Sequence, residues 1–176
     1  MADFLKRSKS EGEKWQEDKE VRKSVEEILN DIEERGDSAI RDLSKKFDNF
    51  SPASFRLSED EINVCMKKVD KTDLDDIIFA QKQIRQFAEA QLGSIKDIEL
   101  ETMPGVILGH RNIPVQSVGC YVPGGKFPMV ASAHMSVLTA SVAGVPRIIA
   151  SAPPVNGEPH PAIVTAMKLG GAHEIY

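Results

Sequence analysis

The first half of the chain places apolar residues at the three- and four-residue spacing of amphipathic helices. One predicted helix has an apolar face made of Val21, Val25, Ile28, Leu29 and Ile32. A second helix is predicted over residues 59–69, where Ser58 and Glu61 form a capping box. A longer one is predicted to begin at Asp73 and to end near residue 92, closed by Gly93. Residues 1–19 are mostly polar and are predicted to be frayed or wrapped on a partner surface.

After Gly93 the pattern changes to the short alternating and β-branched runs that are typical of strands. Residues 98–103 and 106–111 flank Pro104-Gly105 and predict a β-hairpin, because glycine supplies the positive φ of the turn. Further strands are predicted over residues 115–121, 147–152 and 174–176, separated by helices over residues 130–143 and 161–169. This alternation predicts a parallel sheet and is typical of nucleotide-binding α/β domains.

The predicted fold class is therefore α/β. An N-terminal helical segment with a β-hairpin, residues 1–113, leads into an incomplete parallel-sheet domain, residues 114–176. Three strands are fewer than a doubly wound domain needs, and the last has three residues where about five or six are typical. We expect the chain to be a fragment of a longer protein. Completion of the domain by a partner chain is the alternative.

Composition narrows the class of protein. The hydrophobic fraction of 41% and the charged fraction of 28% are ordinary for a globular chain. The net charge of −5 disfavours nucleic acid and anionic membranes as partners, and no basic stripe is present. Cys65 and Cys120 form no CxxC pair, so we expect buried thiols in a reducing compartment. With no apolar stretch of membrane-spanning length and no visible secretory signal, a cytoplasmic location is expected.

The most informative segment is Tyr121-Val122-Pro123-Gly124-Gly125, which lies between a predicted strand and a predicted helix. Backbone N–H groups at such a junction bind phosphates and other small anions. Pro123 stiffens the turn, while Gly124 and Gly125 allow a ligand to approach the backbone closely. A plain turn is the alternative interpretation for the glycines, and a strand-end core aromatic is the alternative for Tyr121.

The residues from Gly119 to Gly125 and the series that follows resemble the histidinol dehydrogenase family. The matching positions after the turn include Pro128, Met135, Ala140, Ala143-Gly144, Pro153-Pro154 and Asn156-Gly157-Glu158. The resemblance implies an NAD- and zinc-dependent dehydrogenase, homodimeric when full length, that oxidises a small-molecule alcohol. It implies that residues 114–176 are the start of an incomplete Rossmann-like NAD-binding domain. The best-known members oxidise L-histidinol through the aldehyde to L-histidine.

The resemblance also implies roles for individual residues. The NAD-contacting tyrosine of the family falls on Tyr121, so we expect Tyr121, Pro123, Gly124 and Gly125 to bind the cofactor. The catalytic Glu-His pair and the zinc ligands of the family have no counterpart in this chain, so no catalytic or metal-binding residue is assigned. The four histidines, His110, His134, His160 and His173, lack metal-ligand spacing, and His160 and His173 are predicted to lie on the surface.

Two alternatives to histidinol oxidation remain open at this point. Lys126, Phe127 and His134 resemble the sulfopropanediol dehydrogenase branch, where Lys126 would neutralise a phosphate or sulfonate; a solvated lysine is the other interpretation. The chain is otherwise an inactive truncated remnant that acts only through protein contacts of its amphipathic helices. Whether the substrate is L-histidinol or a sulfonated diol, we expect the 176-residue chain to be inactive alone.

Overall fold

The structure is a computed structural model that describes residues 11–124 and 127–176. The chain divides into two compact units between Ser51 and Pro52. Among the described residues, no helix is both long enough and apolar enough to cross a membrane.

The first unit contains two helices, α1 (Glu11–Arg35) and α2 (Asp37–Asp48). Gly36 joins them with a φ of 59°, a left-handed conformation that glycine adopts without a Cβ penalty. The prediction of a frayed segment is wrong for residues 11–19, which are helical, while residues 1–10 lie outside the described residues. The predicted apolar face is only partly covered, because Val21, Val25 and Leu29 are exposed.

The second unit begins with two capped helices, α3 (Glu59–Lys68) and α4 (Lys71–Ser94). The predicted capping box is confirmed: the Ser58 hydroxyl accepts from the Glu61 N–H, and the Glu61 carboxylate accepts from the Ser58 N–H. The predicted start of α4 at Asp73 is wrong. The carboxylate of Asp70 accepts from the Asp73 N–H at 2.9 Å and so caps the helix three residues earlier. Gly93 lies inside the last turn rather than beyond it.

The predicted hairpin is confirmed as β1 (Ile98–Met103) and β2 (Val106–His110), which pair antiparallel around Gly105 at φ 80°. Strand pairing brings four apolar residues to one side of the hairpin, Ile98, Leu100, Val106 and Leu108, while Ile107 lies opposite Glu101 on the other side. These side chains are exposed, as is every residue of the two strands.

Three strands form the parallel sheet in the order β3 (Ser117–Tyr121), β4 (Arg147–Ser151) and β5 (Glu174–Ile175). Register is continuous from Ser117 opposite Arg147 to Tyr121 opposite Ser151. The helix α7 (Pro161–Gly170) connects β4 to β5 and is buried along most of its length. The predicted α/β class with a parallel sheet is therefore confirmed.

The helix predicted after β3 is present but is not a uniform α-helix. It consists of α5 (Val130–Ala133), a π-helical segment (His134–Leu138) and α6 (Thr139–Val142). Hydroxyl groups satisfy carbonyls in and around the widened turn: Ser136 donates to the Ser132 carbonyl at 2.7 Å, and Thr139 donates to the Met135 carbonyl at 2.6 Å.

One apolar core joins the sheet to α3 and α4, which precede the hairpin in the sequence, and to the helices that follow the hairpin. Its most buried members include Ile62 and Cys65 from α3, Ile77 from α4, Val137, Ile148, Ala150, Ile163, Met167 and Ile175. The buried state expected for Cys65 and Cys120 is confirmed, and burial raises the pKa of both thiols. The division of the chain at residues 113 and 114 stays a prediction.

Glu174 connects β5, an outer strand of the sheet, to neighbouring chain segments. Its carboxylate contacts Arg147 Nε at 2.7 Å and Arg56 at 3.1 Å, and the Leu57 N–H donates to the Ile175 carbonyl at 2.8 Å. The hydrogen bond from Arg147 is the main cause that lowers the pKa of the Glu174 carboxyl, followed in the same direction by the Tyr176 hydroxyl. The two arginines thus tie β4 and the segment before α3 to β5.

We predict that this carboxylate makes the folded state sensitive to acid. A carboxyl whose pKa is lower in the folded than in the unfolded chain stabilises the fold above the unfolded pKa, and this contribution is lost as pH falls through the folded pKa. Between pH 6 and pH 3 the free energy of unfolding should therefore fall less in Glu174→Gln than in the wild type. Urea titrations at both pH values measure the difference. Glu89→Gln, an exposed change on α4, serves as the control, and an equal fall in wild type and Glu174→Gln would contradict the prediction.

Candidate functional site

The candidate site lies at the carboxyl-terminal edge of the parallel sheet. Backbone pairing continues just past the strands: the Val122 N–H donates to the Ser151 carbonyl at 2.8 Å, and the Ala152 N–H donates to the Tyr176 carbonyl at 3.1 Å. The three strands therefore end at the same edge of the sheet, near Tyr121, Ser151 and Tyr176. In open parallel sheets this edge, with the loops that follow the strands, is where ligands bind.

Tyr121 presents its side chain to solvent at this edge. The residue is 64% exposed, whereas its neighbours Cys120 and Val122 are buried at 5% and 0%. Because side chains alternate along a strand, Tyr121 shares its side of β3 with the exposed Gly119. The alternative interpretation of Tyr121 as a core aromatic is wrong, and its ring is available to a ligand.

The turn after Tyr121 is closed by a backbone hydrogen bond and packs against α7. The Met129 N–H donates to the Pro123 carbonyl at 3.2 Å. Gly124 is buried, and a Cβ at this position would lie 3.1 Å from Ile163 Cδ1 and 3.6 Å from Pro153 Cγ. Gly124 therefore packs closely against Ile163 and Pro153, and a larger side chain would have to displace the Ile163 side chain. Gly125 and Lys126 lie outside the described residues.

The histidines differ from one another in environment. His173 is exposed, as predicted, yet its Nδ1 accepts from the Ile148 N–H at 3.0 Å. The surface prediction is wrong for His160, which is half-buried at the start of α7 and whose Nδ1 is buried without a hydrogen-bond partner among the described residues. His134 is buried at 4% exposure, and this burial lowers its pKa. The neutral ring is thus the folded form near neutral pH.

A buried hydrogen bond between Gln81 and His134 is the feature that sequence reasoning missed. Gln81 Nε2 lies 3.2 Å from His134 Nδ1 and donates to the Ala166 carbonyl at 2.8 Å. The signal for it was an amide at a helical core position: Gln81 follows the buried Ile77 by four residues on α4. A polar side chain on such a face needs a buried partner.

In residues 11–124 and 127–176, no group of three or more histidine, cysteine, aspartate or glutamate side chains converges as a metal site requires. The described geometry instead offers an exposed aromatic ring beside a tightly packed turn. Such an arrangement can accommodate a flat ligand.

Comparison with known proteins gives one consistent family. A model of the family described as histidinol dehydrogenase matches residues 12–176. A histidinol dehydrogenase homolog from Shouchella clausii is 54% identical over 176 residues, all of this chain but 42% of that protein. The sulfopropanediol 3-dehydrogenase of Ruegeria pomeroyi is 45% identical over 157 residues, 89% of this chain and 36% of that protein.

The fold comparison agrees. The crystal structure of histidinol dehydrogenase from Elizabethkingia anophelis matches with a TM-score of 0.82 and 26% sequence identity, over 98% of this chain and 37% of that one. The chain therefore spans roughly two fifths of the length of the relatives that it matches from end to end. The resemblance seen in the residues from Gly119 onward is confirmed at the level of the family.

We predict that the packing around Gly124 tolerates no branched side chain. Gly124→Val should lower the free energy of unfolding by about 1–3 kcal/mol, because the added atoms meet Ile163 and Pro153. Gly119→Val is the matched control: nothing lies within 4 Å of a Cβ there, and valine suits a strand. Urea denaturation of both variants checks this. Equal stability of the two variants would contradict the close packing of the turn.

Proposed function

Because this chain belongs to the histidinol dehydrogenase family, we propose that it forms the NAD side of the active site of an NAD- and zinc-dependent alcohol dehydrogenase. The observation that carries the proposal is the exposed Tyr121 at the carboxyl edge of β3, followed at once by the tightly packed turn at Pro123 and Gly124. Gly125 is included in the proposed cofactor contacts on the strength of its position in the sequence.

The proposed roles follow from the geometry of each residue. The Tyr121 ring offers a flat face for stacking and a hydroxyl for a polar contact. Pro123 fixes the entry to the turn, and Gly124 lets the turn lie close to α7 and the Pro153 loop. NAD, when bound, accepts a hydride from the alcohol carbon. These residues would bind and orient that cofactor and take no proton from the substrate.

Zinc, unlike NAD, is not assigned to residues of this chain. The described residues hold no converging set of ligands, so no residue of this chain is proposed to bind the metal. In the full-length enzyme we propose that zinc and the catalytic Glu-His pair belong to the part of the family that lies outside the matched region. The chemistry that zinc would supply there is polarisation of the substrate oxygen.

Two alcohols are candidate substrates. L-Histidinol, oxidised through the aldehyde to L-histidine, is supported by the family itself and by relatives named histidinol dehydrogenase, such as that of Methanosarcina barkeri at 37% identity over 158 residues. A small sulfonated diol is supported by the higher identity, 45% over 157 residues, to the sulfopropanediol 3-dehydrogenase. The higher identity over the same length favours the sulfonated diol.

A homodimer and a cytoplasmic location complete the proposal. The exposed apolar residues Val21, Val25 and Leu29 on α1 support a further protein contact by the first unit, because they form a helical stripe that the described residues 11–51 leave uncovered. An inactive remnant that acts only through such contacts is the competing function, and NAD binding separates the two.

We predict that the chain binds NADH through Tyr121. Tyr121→Ala should weaken binding about three- to tenfold, the range expected when one aromatic stacking contact is lost. Tyr121→Phe keeps the ring and should stay closer to the wild type. NADH fluorescence titration measures the affinities, with Phe87→Ala, an exposed aromatic change on α4, as the control. Equal NADH affinity of Tyr121→Ala and wild type would overturn the assignment.

We also predict that the purified 176-residue chain turns over neither L-histidinol nor sulfopropanediol in the presence of NAD and zinc. The reason is that no residue here matches the catalytic Glu-His pair or the zinc ligands. NADH formation at 340 nm checks this, with an intact relative such as the Ruegeria pomeroyi enzyme as the positive control. Turnover of either alcohol by the chain alone would show that the catalytic groups have been assigned wrongly.

A further inference from the structure

We propose that Gln81 and His134 form a positioning pair that holds the π-helical segment in register and thereby sets the turn at Pro123 and Gly124. The consequence for NAD rests on the proposed function, whereas the effect on the turn does not. The pair joins two residues that are 53 positions apart in sequence and belongs to neither strand nor turn.

The orientation of the pair follows from its hydrogen bonds. Gln81 is 7% exposed, and its Nε2 donates to the Ala166 carbonyl at 2.8 Å, which can only accept. The amide nitrogen therefore faces both Ala166 and His134, and its second hydrogen points to His134 Nδ1 at 3.2 Å. His134 must accept at Nδ1, so its ring proton is on Nε2. One amide thus connects α4, α7 and the helix that follows β3.

The π-helical segment that begins at His134 also packs against the end of α7. A Cβ at Gly170 would lie 3.2 Å from Val137 Cγ1 and 3.6 Å from the Leu138 nitrogen, so the end of α7 packs closely on the widened turn. The hydroxyls of Ser136 and Thr139 donate hydrogen bonds to the carbonyls of residues 132, 135 and 136. A π turn accommodates one more residue than an α turn, and these contacts stabilise the extra residue where it is.

Only α5, a single turn, separates the pair from the proposed NAD turn. The Ser132 N–H donates to the Met129 carbonyl at 2.9 Å, and the Met129 N–H donates to the Pro123 carbonyl at 3.2 Å. If the π turn relaxed to α geometry, the residues before it would shift by about one position, or ~1.5 Å and ~100° around the axis. The Met129 N–H would then leave the Pro123 carbonyl, and the turn would open.

The exchange of the Met129 amide hydrogen tests the pair directly. His134→Leu removes the acceptor, and His134→Asn restores one, because Asn Oδ1 occupies nearly the position of His Nδ1. We expect Met129 exchange to accelerate at least about tenfold in His134→Leu and to remain within about threefold of the wild type in His134→Asn. The Glu158 amide, which bonds to the Val155 carbonyl in a separate turn, is the internal control and should not change.

A double variant separates positioning from stability. Gln81→Leu with His134→Leu removes both polar groups, so the global stability lost in His134→Leu should largely return. Fast Met129 exchange should persist, because the connection to the π turn is still missing. Ile77→Val, a core change one turn before Gln81, supplies a general loss of stability and should leave Met129 exchange relative to Glu158 unchanged.

The outcomes are distinct. Wild-type Met129 exchange in His134→Leu, or its return to the wild-type rate in the double variant, would overturn the positioning role. NADH affinity measured on the same variants should weaken in parallel with Met129 exchange. If the wild type fails to bind NADH while Met129 exchange responds as expected, the proposed function falls and the positioning pair stands.

Discussion

Parallel pairing of β3 with β4 is the constraint on which the rest of the second unit depends. It brings the ends of both strands to one edge of the sheet, so that Tyr121 and Ser151 lie side by side. The loops that follow must then share the space above α7. Gly124 is buried beside Ile163 and Pro153, where a larger residue would have to displace neighbouring side chains.

Much of this arrangement is accessible from sequence because it is encoded locally. Ser58 and Glu61 predict a helix start through their own side chains, and Pro104-Gly105 predicts the hairpin through the conformation of glycine. The β-branched runs predict the strands, and the order of strands and helices predicts a parallel sheet. Local signals also explain one error: Asp70 and Asp73 are both competent caps, and only the three-dimensional start of α4 selects Asp70.

The candidate site is predictable only in part. The family resemblance indicated Tyr121, but its exposure depends on which side of β3 the core covers, and that is a property of the packed unit. The position of Gln81 on the core face of α4 indicates a buried partner, but no local pattern identifies that partner as His134. His160 was predicted from its flanking prolines to lie on the surface, yet the packing at the start of α7 buries its ring nitrogen.

A sheet edge, a close-packed turn and a buried amide thus all contribute to one proposed task, the binding of NAD. The most direct test is a titration of NAD into the isotope-labelled chain, followed through backbone amide shifts. We predict that the largest changes fall on Tyr121, Val122 and Gly124, with smaller ones near Ala152. Changes confined to the opposite ends of the strands, at Ser117 and Arg147, or no changes at saturating NAD, would contradict the proposed NAD site.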